Sequence, residues 1–135
     1  MIREIKKEQA WQVRHEVMWP DRELDYVKLK KDDQGLHYGL FDGDELVSVI
    51  SLFLHESEGQ FRKFATRIPW QGQGHGSRLL SFIMTEAERH GLRRLYCNAR
   101  IEKTAFYERF DLRATGESFQ KGGKDYIIME RYWSG

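Results

Sequence analysis

The stretch Gln71-Gly72-Gln73-Gly74-His75-Gly76 is the most informative part of this sequence, because three glycines alternate directly before a helical pattern. Glycine lets a backbone turn tightly and approach a ligand closely. The first turn of a helix carries free N–H groups and a partial positive charge. Together these features predict an anion site suited to a pyrophosphate. The alternative is a tight strand-to-helix connection without a ligand, and the glycines alone do not decide between the two.

Two other phosphate-binding motifs fit this stretch poorly. The nucleotide P-loop ends in Gly-Lys-Ser/Thr, whereas Gly76 is followed by Ser77 and Arg78. The dinucleotide fingerprint Gly-x-Gly-x-x-Gly follows the first strand of a parallel unit. Here the glycine spacing is one residue shorter, and the preceding segments read as an antiparallel meander. A nucleotide-type phosphate site is therefore not predicted.

A helix is predicted from 76 to 90, directly after the glycines. Its apolar residues fall on one stripe and its polar residues lie off it, and Gly91 is a natural helix stop. The stripe consists of Leu79, Leu80, Ile83 and Ala87. We therefore expect this helix to pack one face on a sheet.

Strand composition surrounds an Asp42-Gly43-Asp44 turn, which predicts a hairpin of strands 36–41 and 46–54. The second strand is apolar on both faces, as expected for a central strand covered on both sides. The same reasoning predicts strands at 2–5, 60–66, 95–98, 112–119 and 126–133, and helices at 8–18, 24–30 and 102–110. This order predicts an α/β fold with a mixed, mostly antiparallel sheet of about six to seven strands and helices on both faces. Without repeats or linkers, residues 1–135 are expected to form one domain.

The hexapeptide resembles the Gln/Arg-x-x-Gly-x-Gly/Ala motif of the GCN5-related N-acetyltransferase (GNAT) family. Phe64-Ala65-Thr66 precedes it, where that family has its cofactor-contacting strand. The segment from Thr104 to Phe110 resembles the family's later helix, which often carries a Phe-Tyr pair. The element order matches over nearly the whole chain. One departure is Asp111, where the family commonly has glycine, but aspartate tolerates a left-handed conformation better than most residues.

The resemblance implies acetyl-CoA as the acyl-donor cosubstrate, lying between two splayed strands, 60–66 and 95–98. For Asn98 the alternative is a strand-end asparagine that satisfies its own turn. The implied cofactor-binding residues are Phe64, Ala65, Thr66, Gln71, Gly72, Gln73, Gly74, His75, Gly76, Ser77 and Asn98.

The implied chemistry is N-acetyl transfer by direct attack of a primary amine on the thioester. Such a reaction needs a base for the ammonium, a donor for the oxyanion and an acid for the thiolate. Tyr107 is the implied acid, because a phenol of pKa about 10 stays protonated beside a thiol of pKa about 8.5. The alternative is an aromatic core residue beside Phe106. No base stands out. The candidates are His15, Glu16, Glu56 and Glu58, but each fits a solvated surface residue better than a base, and a water chain could also do this job.

Composition excludes several other classes. Lys and Arg number 22 and Asp and Glu 21, so the net charge of +1 argues against a dedicated nucleic-acid binder. No apolar run approaches the ~20 residues of a membrane span. Cys97 is the one cysteine, which suits a reducing, cytoplasmic setting, and we expect it to be a small core residue. The histidines show no metal-ligand spacing, so no metal is predicted.

The expected partner is a small-molecule or peptide amine acceptor, and the chain is expected to be a monomer or a homodimer. The first two helices should determine the acceptor, with residues Arg14 to Leu24 bordering its pocket. The alternative function is a non-catalytic acyl-CoA-binding or sensing module, which would also need the glycine motif.

Overall fold

A computed structural model of the chain describes residues 1–134. The described residues form seven strands and three α-helices in the predicted order. The predicted helix at 24–30 is wrong in type, because only a 3₁₀ turn forms there, at Leu24–Val27. The elements are β1 (Ile2–Ile5), α1 (Lys7–Met18), β2 (Leu36–Asp42), β3 (Glu45–His55), β4 (Glu58–Thr66), α2 (His75–Arg89), β5 (Arg94–Arg100), α3 (Thr104–Glu108), β6 (Arg113–Lys121) and β7 (Lys124–Tyr132).

The sheet is mixed, with strand order β1-β2-β3-β4-β5-β7-β6. Strands β1 and β2, β2 and β3, β5 and β7, and β6 and β7 pair antiparallel, whereas β4 and β5 pair in parallel. The parallel pair is joined through α2, since parallel neighbours need a long crossover. The predicted fold class is therefore confirmed.

The chain divides into two compact units, one of residues 1–53 and 62–83 and the other of residues 54–61 and those from 84 onward. In the first unit, α1 and α2 pack on opposite faces of the β2–β3 pair. Arg14 of α1 donates to Ser51 of β3, whereas Phe82 of α2 makes a ring contact with Tyr38 of β2. Tyr38 pairs with Ile50, the residue before Ser51, and successive strand residues face opposite sides.

The predicted helical stripe is confirmed. Leu79, Leu80, Ile83 and Ala87 of α2 are each 0% exposed. Strand β3 is buried from Val47 to Leu52, as a strand covered on both faces should be.

A polar cluster, which we call the buried cluster, lies inside the first unit and consists of Arg14, Asp32, His37 and Ser51. Arg14 is 0% exposed and donates to Asp32 from both terminal nitrogens, at 2.8 and 3.0 Å. It also donates to the Ser51 hydroxyl at 2.9 Å. His37 Nε2 lies 2.9 Å from the Asp32 carbonyl, which can only accept, so Nε2 donates. Nδ1 of His37 then accepts from Ser51 at 2.7 Å.

Burial raises the pKa of the Asp32 carboxyl, but hydrogen bonds from Arg14, from the Leu29 N–H and from the Trp11 indole outweigh it and lower the pKa to about 2. The cluster thus ties α1 to β3 and to the segment that precedes β2. Arg14 was expected to border an acceptor pocket. That expectation is wrong, because all of its surface is buried and its charge is used within the cluster.

The second unit has its own apolar core. Leu95 and Cys97 of β5, Met129 of β7 and Leu112 are all buried. The turn after α3 places Asp111 at φ 64, a left-handed conformation that aspartate tolerates better than most residues.

Candidate functional site

The glycine turn, residues 71–77, follows a 3₁₀ turn at Ile68–Trp70. Gly72 and Gly74 have φ values of +77 and +85. A Cβ added at either glycine would meet no heavy atom within 4 Å. These two residues therefore need to be glycine for their backbone conformation, and the side that a Cβ would occupy is open space.

Gly76 has a different role from the other two glycines. A Cβ there would lie 3.3 Å from Phe64 Cζ and 3.7 Å from Thr66 Oγ1. The missing side chain thus lets the first turn of α2 approach the end of β4 closely. The predicted strand segment Phe64-Ala65-Thr66 is brought directly against the glycine turn by this contact.

The side chains of the two glutamines hold the turn in shape. Gln71 Nε2 donates to the Thr66 carbonyl at 2.8 Å, and Gln73 Nε2 donates to the Pro69 carbonyl at 3.1 Å. Ala65 is 6% exposed and its carbonyl accepts from the Ser48 hydroxyl at 3.1 Å. Its methyl group is part of the apolar core, so Ala65 can meet a ligand only through its backbone.

The start of α2 leaves polar groups unpaired. The first helical bond runs from the Arg78 N–H to the Gly74 carbonyl, at 3.1 Å. The N–H groups of His75, Gly76 and Ser77 precede it, and within residues 1–134 they have no hydrogen-bond partner. Both ring nitrogens of His75 are also buried without a partner.

The glycine turn fits the pyrophosphate of coenzyme A. Three adjacent N–H groups stand at the positive end of a 15-residue helix. The two left-handed glycines leave the approach to these groups free of side chains. An anion at this place would satisfy donors that the protein itself leaves unpaired.

Tyr107 lies on α3 in the second unit. Its ring contacts Phe61 and Phe106, with centroid separations of 5.9 and 5.3 Å. Among the described residues, its hydroxyl has no hydrogen-bond partner. Burial, and to a lesser degree the Cys97 thiol, raises the pKa of Tyr107 above its ordinary value, so the phenol is protonated at neutral pH. Core packing accounts for the ring, but it leaves the hydroxyl unexplained.

Cys97 is a core residue. It is 3% exposed, and burial raises the pKa of its thiol to about 12. The thiolate, which is the nucleophilic form, is therefore scarce at neutral pH.

Asn98 lies within β5 and not at its end, because the strand continues to Arg100 and Asn98 pairs with Ile128 of β7. Its side chain is exposed. The alternative of a strand-end asparagine that satisfies its own turn is therefore wrong.

The candidate bases are mostly engaged with other groups. Glu16 forms an ion pair with Arg67 at 2.8 Å, and Glu58 forms one with Arg94 at 3.1 Å. The His15 ring contacts a backbone carbonyl of the following loop. Glu56 lies in the β3–β4 turn with φ 56. These contacts single out none of the four as a base.

The loop after α1 contains an aromatic pair that the sequence interpretation did not identify. The rings of Trp19 and Tyr26 are 5.0 Å apart, and the Arg22 guanidinium lies 4.9 Å from the Tyr26 ring centroid. Tyr26 is 50% exposed. In the sequence this pair appears as two large aromatic residues on either side of a polar loop. That pattern is too common to predict an aromatic contact.

Within residues 1–134, no group of three or more His, Cys, Asp or Glu side chains is placed to hold a metal ion. None of the helices in the same range is both long and apolar enough to cross a membrane.

Comparison with known proteins identifies the family. A family model described as an acetyltransferase (GNAT) domain matches residues 2–132. An uncharacterized N-acetyltransferase of Bacillus subtilis, YitI, is 25% identical over 138 residues, covering 95% of this chain and 93% of YitI. A putative N-acetyltransferase from Lactobacillus plantarum has a similar structure, with a TM-score of 0.85, 21% identity and 97% of each chain covered. A GNAT family acetyltransferase from Elizabethkingia anophelis with acetyl-CoA bound has a TM-score of 0.78 and 16% identity, over 98% of this chain and 97% of its own.

The chain therefore belongs to the GNAT acetyltransferase family, and it is an acyl-CoA-dependent N-acetyltransferase. Acetyl-CoA is the cosubstrate that this family membership and the acetyl-CoA-bound relative support.

Proposed function

We propose that this protein transfers an acetyl group from acetyl-CoA directly to a primary amine of a small molecule or a peptide. The observation that carries the proposal is the set of unpaired N–H groups at His75, Gly76 and Ser77, reached through two left-handed glycines. Such a set of donors favours the pyrophosphate of the cosubstrate over a purely structural role for the turn.

The glycine turn holds the pyrophosphate in this proposal. Gln71 and Gln73 act indirectly, since their amides hold the backbone of the turn and not the ligand. The backbone of Phe64, Ala65 and Thr66 lines the pantetheine arm and supplies the donor for the oxyanion. The exposed amide of Asn98 provides a further hydrogen bond to the cosubstrate.

Tyr107 assists departure of the thiolate. A neutral amine forms the new C–N bond, the C–S bond breaks, and the ammonium proton passes to water. Because the pKa of Tyr107 is raised by burial, full proton transfer to a thiolate is unfavourable. A hydrogen bond from the phenol to the developing charge is therefore its main contribution.

We also propose that residues 1–135 act as a single acyltransferase domain, which the family match over residues 2–132 supports. The acceptor meets the loop after α1, where Trp19 and Tyr26 present aromatic surface. A cytoplasmic setting is consistent with the single buried free cysteine.

The test is release of free thiol from acetyl-CoA across a panel of amines, including polyamines, amino acids and peptides with free N-termini. Amine-dependent thiol release with a matching acetylated product is the expected result. Calorimetry with coenzyme A, run on the same preparation, separates binding from catalysis. Tight binding without amine-dependent release from any member of a broad panel would favour the non-catalytic acyl-CoA-binding module instead.

A further inference from the structure

The imidazole ring of His75 has no role in holding the pyrophosphate, since that site uses only the backbone N–H of this residue. His75 is the first residue of α2 and precedes Leu79 and Ile83 by about one and two turns. Residues four positions apart lie on one face of a helix, and Leu79 and Ile83 are both 0% exposed. The ring therefore begins the face of α2 that packs on the sheet, where the following positions are apolar.

Both ring nitrogens of His75 are buried and, within residues 1–134, neither has a hydrogen-bond partner. A neutral imidazole has one N–H donor and one acceptor nitrogen, so a donor is left unpaired in the interior. The hydroxyls at the adjoining end of β4 are engaged, because Ser48 Oγ lies 2.8 Å from Thr66 Oγ1. A buried unpaired donor costs free energy, and an apolar side chain would avoid that cost. Packing of α2 therefore does not account for a histidine at this position.

The segment that contains the glycine turn carries positive charge. No Asp or Glu lies between Glu58 and Glu86, and Glu86 is about three turns further along α2 than His75. The cationic residues in the same stretch are Arg62, Lys63, Arg67 and Arg78. The start of α2 adds the positive end of the helix dipole. No side chain of the glycine turn can therefore offset a positive charge on the His75 ring.

The carboxylates of the neighbouring elements are engaged or distant. The exposed turn of residues 42–44 carries two aspartates, and the first of them accepts from the Trp70 indole at 3.1 Å. Glu16 of α1 and Glu45 of β3 both accept from Arg67, at 2.8 and 3.2 Å. The polar side chains on the sheet face that α2 covers include the uncharged Tyr38, Ser48 and Thr66. An anion bound at the glycine turn is thus the group that could neutralise a charged His75.

We propose that binding of the cosubstrate's pyrophosphate is coupled to the uptake of a proton by the His75 ring. This inference rests on the proposed function, because it takes the glycine turn as the pyrophosphate site. The pyrophosphate carries two negative charges and meets the N–H of His75 itself, so it acts on the ring at short range. A nearby charge of opposite sign favours the charged form of a titratable group. Histidine is the side chain that ordinarily changes its charge between pH 5 and 8.

Coupling of this sign makes coenzyme A affinity depend on pH. A complex that holds more protons than its free components forms more readily as the pH falls. One unit of linkage corresponds to about a tenfold change in affinity, so the ring alone should tighten binding by up to about tenfold between pH about 7.5 and about 5.5. The phosphate monoester of coenzyme A also titrates near pH about 6. The contribution of His75 is therefore the difference between wild type and a variant that lacks the ring.

The first experiment is calorimetric titration of coenzyme A into wild type and His75→Gln at pH about 6.5, in two buffers of different ionisation enthalpy. The change in observed enthalpy between the buffers gives the number of protons taken up on binding. Wild type should take up roughly half a proton more than His75→Gln, and its affinity should fall more steeply as the pH rises. His55→Gln is the matched control, because His55 is an exposed histidine at the end of β3, and it should behave like wild type.

The second experiment follows the imidazole resonances of wild type by NMR, so it does not depend on the folding of a variant. The midpoint of the His75 titration should move to higher pH when coenzyme A is bound, whereas the midpoint of His55 should not move. An unchanged His75 midpoint, or equal proton uptake by wild type and His75→Gln, would overturn the coupling and leave the proposed function intact. A wild-type protein that binds no coenzyme A would contradict the proposed function and the coupling with it.

Discussion

The glycine turn and the buried cluster differ in whether their polar groups have hydrogen-bond partners. The turn leaves the N–H groups of its first helical residues and both His75 ring nitrogens without partners. In the cluster, one carboxylate, Asp32, accepts from Arg14, from the Trp11 indole and from the Leu29 N–H. Only Arg14 Nε is left unpaired there.

This difference distinguishes a binding site from a structural one. A buried polar group without a partner costs free energy, so native structures leave few of them. Where several unpaired donors converge beside open space, a ligand is the group that would satisfy them. Where charges are buried and paired with one another, their role is to hold segments together, and removing one partner is costly.

The largest effect is expected from breaking the buried cluster. Asp32→Ala leaves the buried Arg14 charge uncompensated and should lower the free energy of unfolding by about 3–5 kcal/mol. Urea denaturation at neutral pH measures it. Asp33→Ala is the matched control, because the Asp33 side chain is 73% exposed and should matter little. Similar losses in the two variants would mean that the cluster does not stabilise the fold.

Tyr107 resembles the glycine turn in that its hydroxyl is unpaired among the described residues. Tyr107→Phe should lower turnover by about 10²-fold, the scale of a general acid, with little change in coenzyme A affinity or thermal stability. Turnover per folded molecule is the measurement. Tyr132→Phe is the control, because Tyr132 is 65% exposed. Full turnover in Tyr107→Phe would assign protonation of the thiolate to water or another donor.

The buried cluster should also make the free energy of unfolding depend on pH. The pKa of Asp32 is lowered from 3.8 to about 2, so its stabilisation is complete above pH about 4 and is lost as the pH falls toward 2. The loss should be about 2 kcal/mol. Unfolding free energies measured between pH about 5 and about 2 test this, with Asp32→Asn as the variant that binds no proton. An equally steep acid decline in Asp32→Asn would assign the decline to other carboxylates.

The smallest effect is expected within the glycine turn. Gly74→Ala places a side chain at a left-handed position and should cost about 1–2 kcal/mol of stability. It should also weaken coenzyme A binding about tenfold, because the strained backbone moves the adjacent N–H groups. Gly43→Ala imposes the same strain at φ 60 in the β2–β3 turn, also beside open space. Calorimetry should show weaker coenzyme A binding for Gly74→Ala only. Equal coenzyme A affinities in the two variants would contradict the assignment of the pyrophosphate to the glycine turn.

The sequence by itself determined the features that are local in the chain. The apolar stripe of α2 and the hairpin around Gly43 both follow from residues a few positions apart. Helical and strand periodicities and turn preferences act over the same short range. The order of elements, and with it the family resemblance, was therefore predictable, although the residues at 24–30 form only a short 3₁₀ turn.

Only the tertiary structure decided which polar residues are paired and which remain open. Arg14 and Ser51 are 37 positions apart, and no local pattern distinguishes a buried arginine from a solvated one. Likewise, three glycines look alike in the sequence, but Gly76 fits against Phe64 whereas Gly72 and Gly74 face open space. Both outcomes depend on which distant segments meet, because burial and charge pairing arise from packing between elements and not from preferences within one.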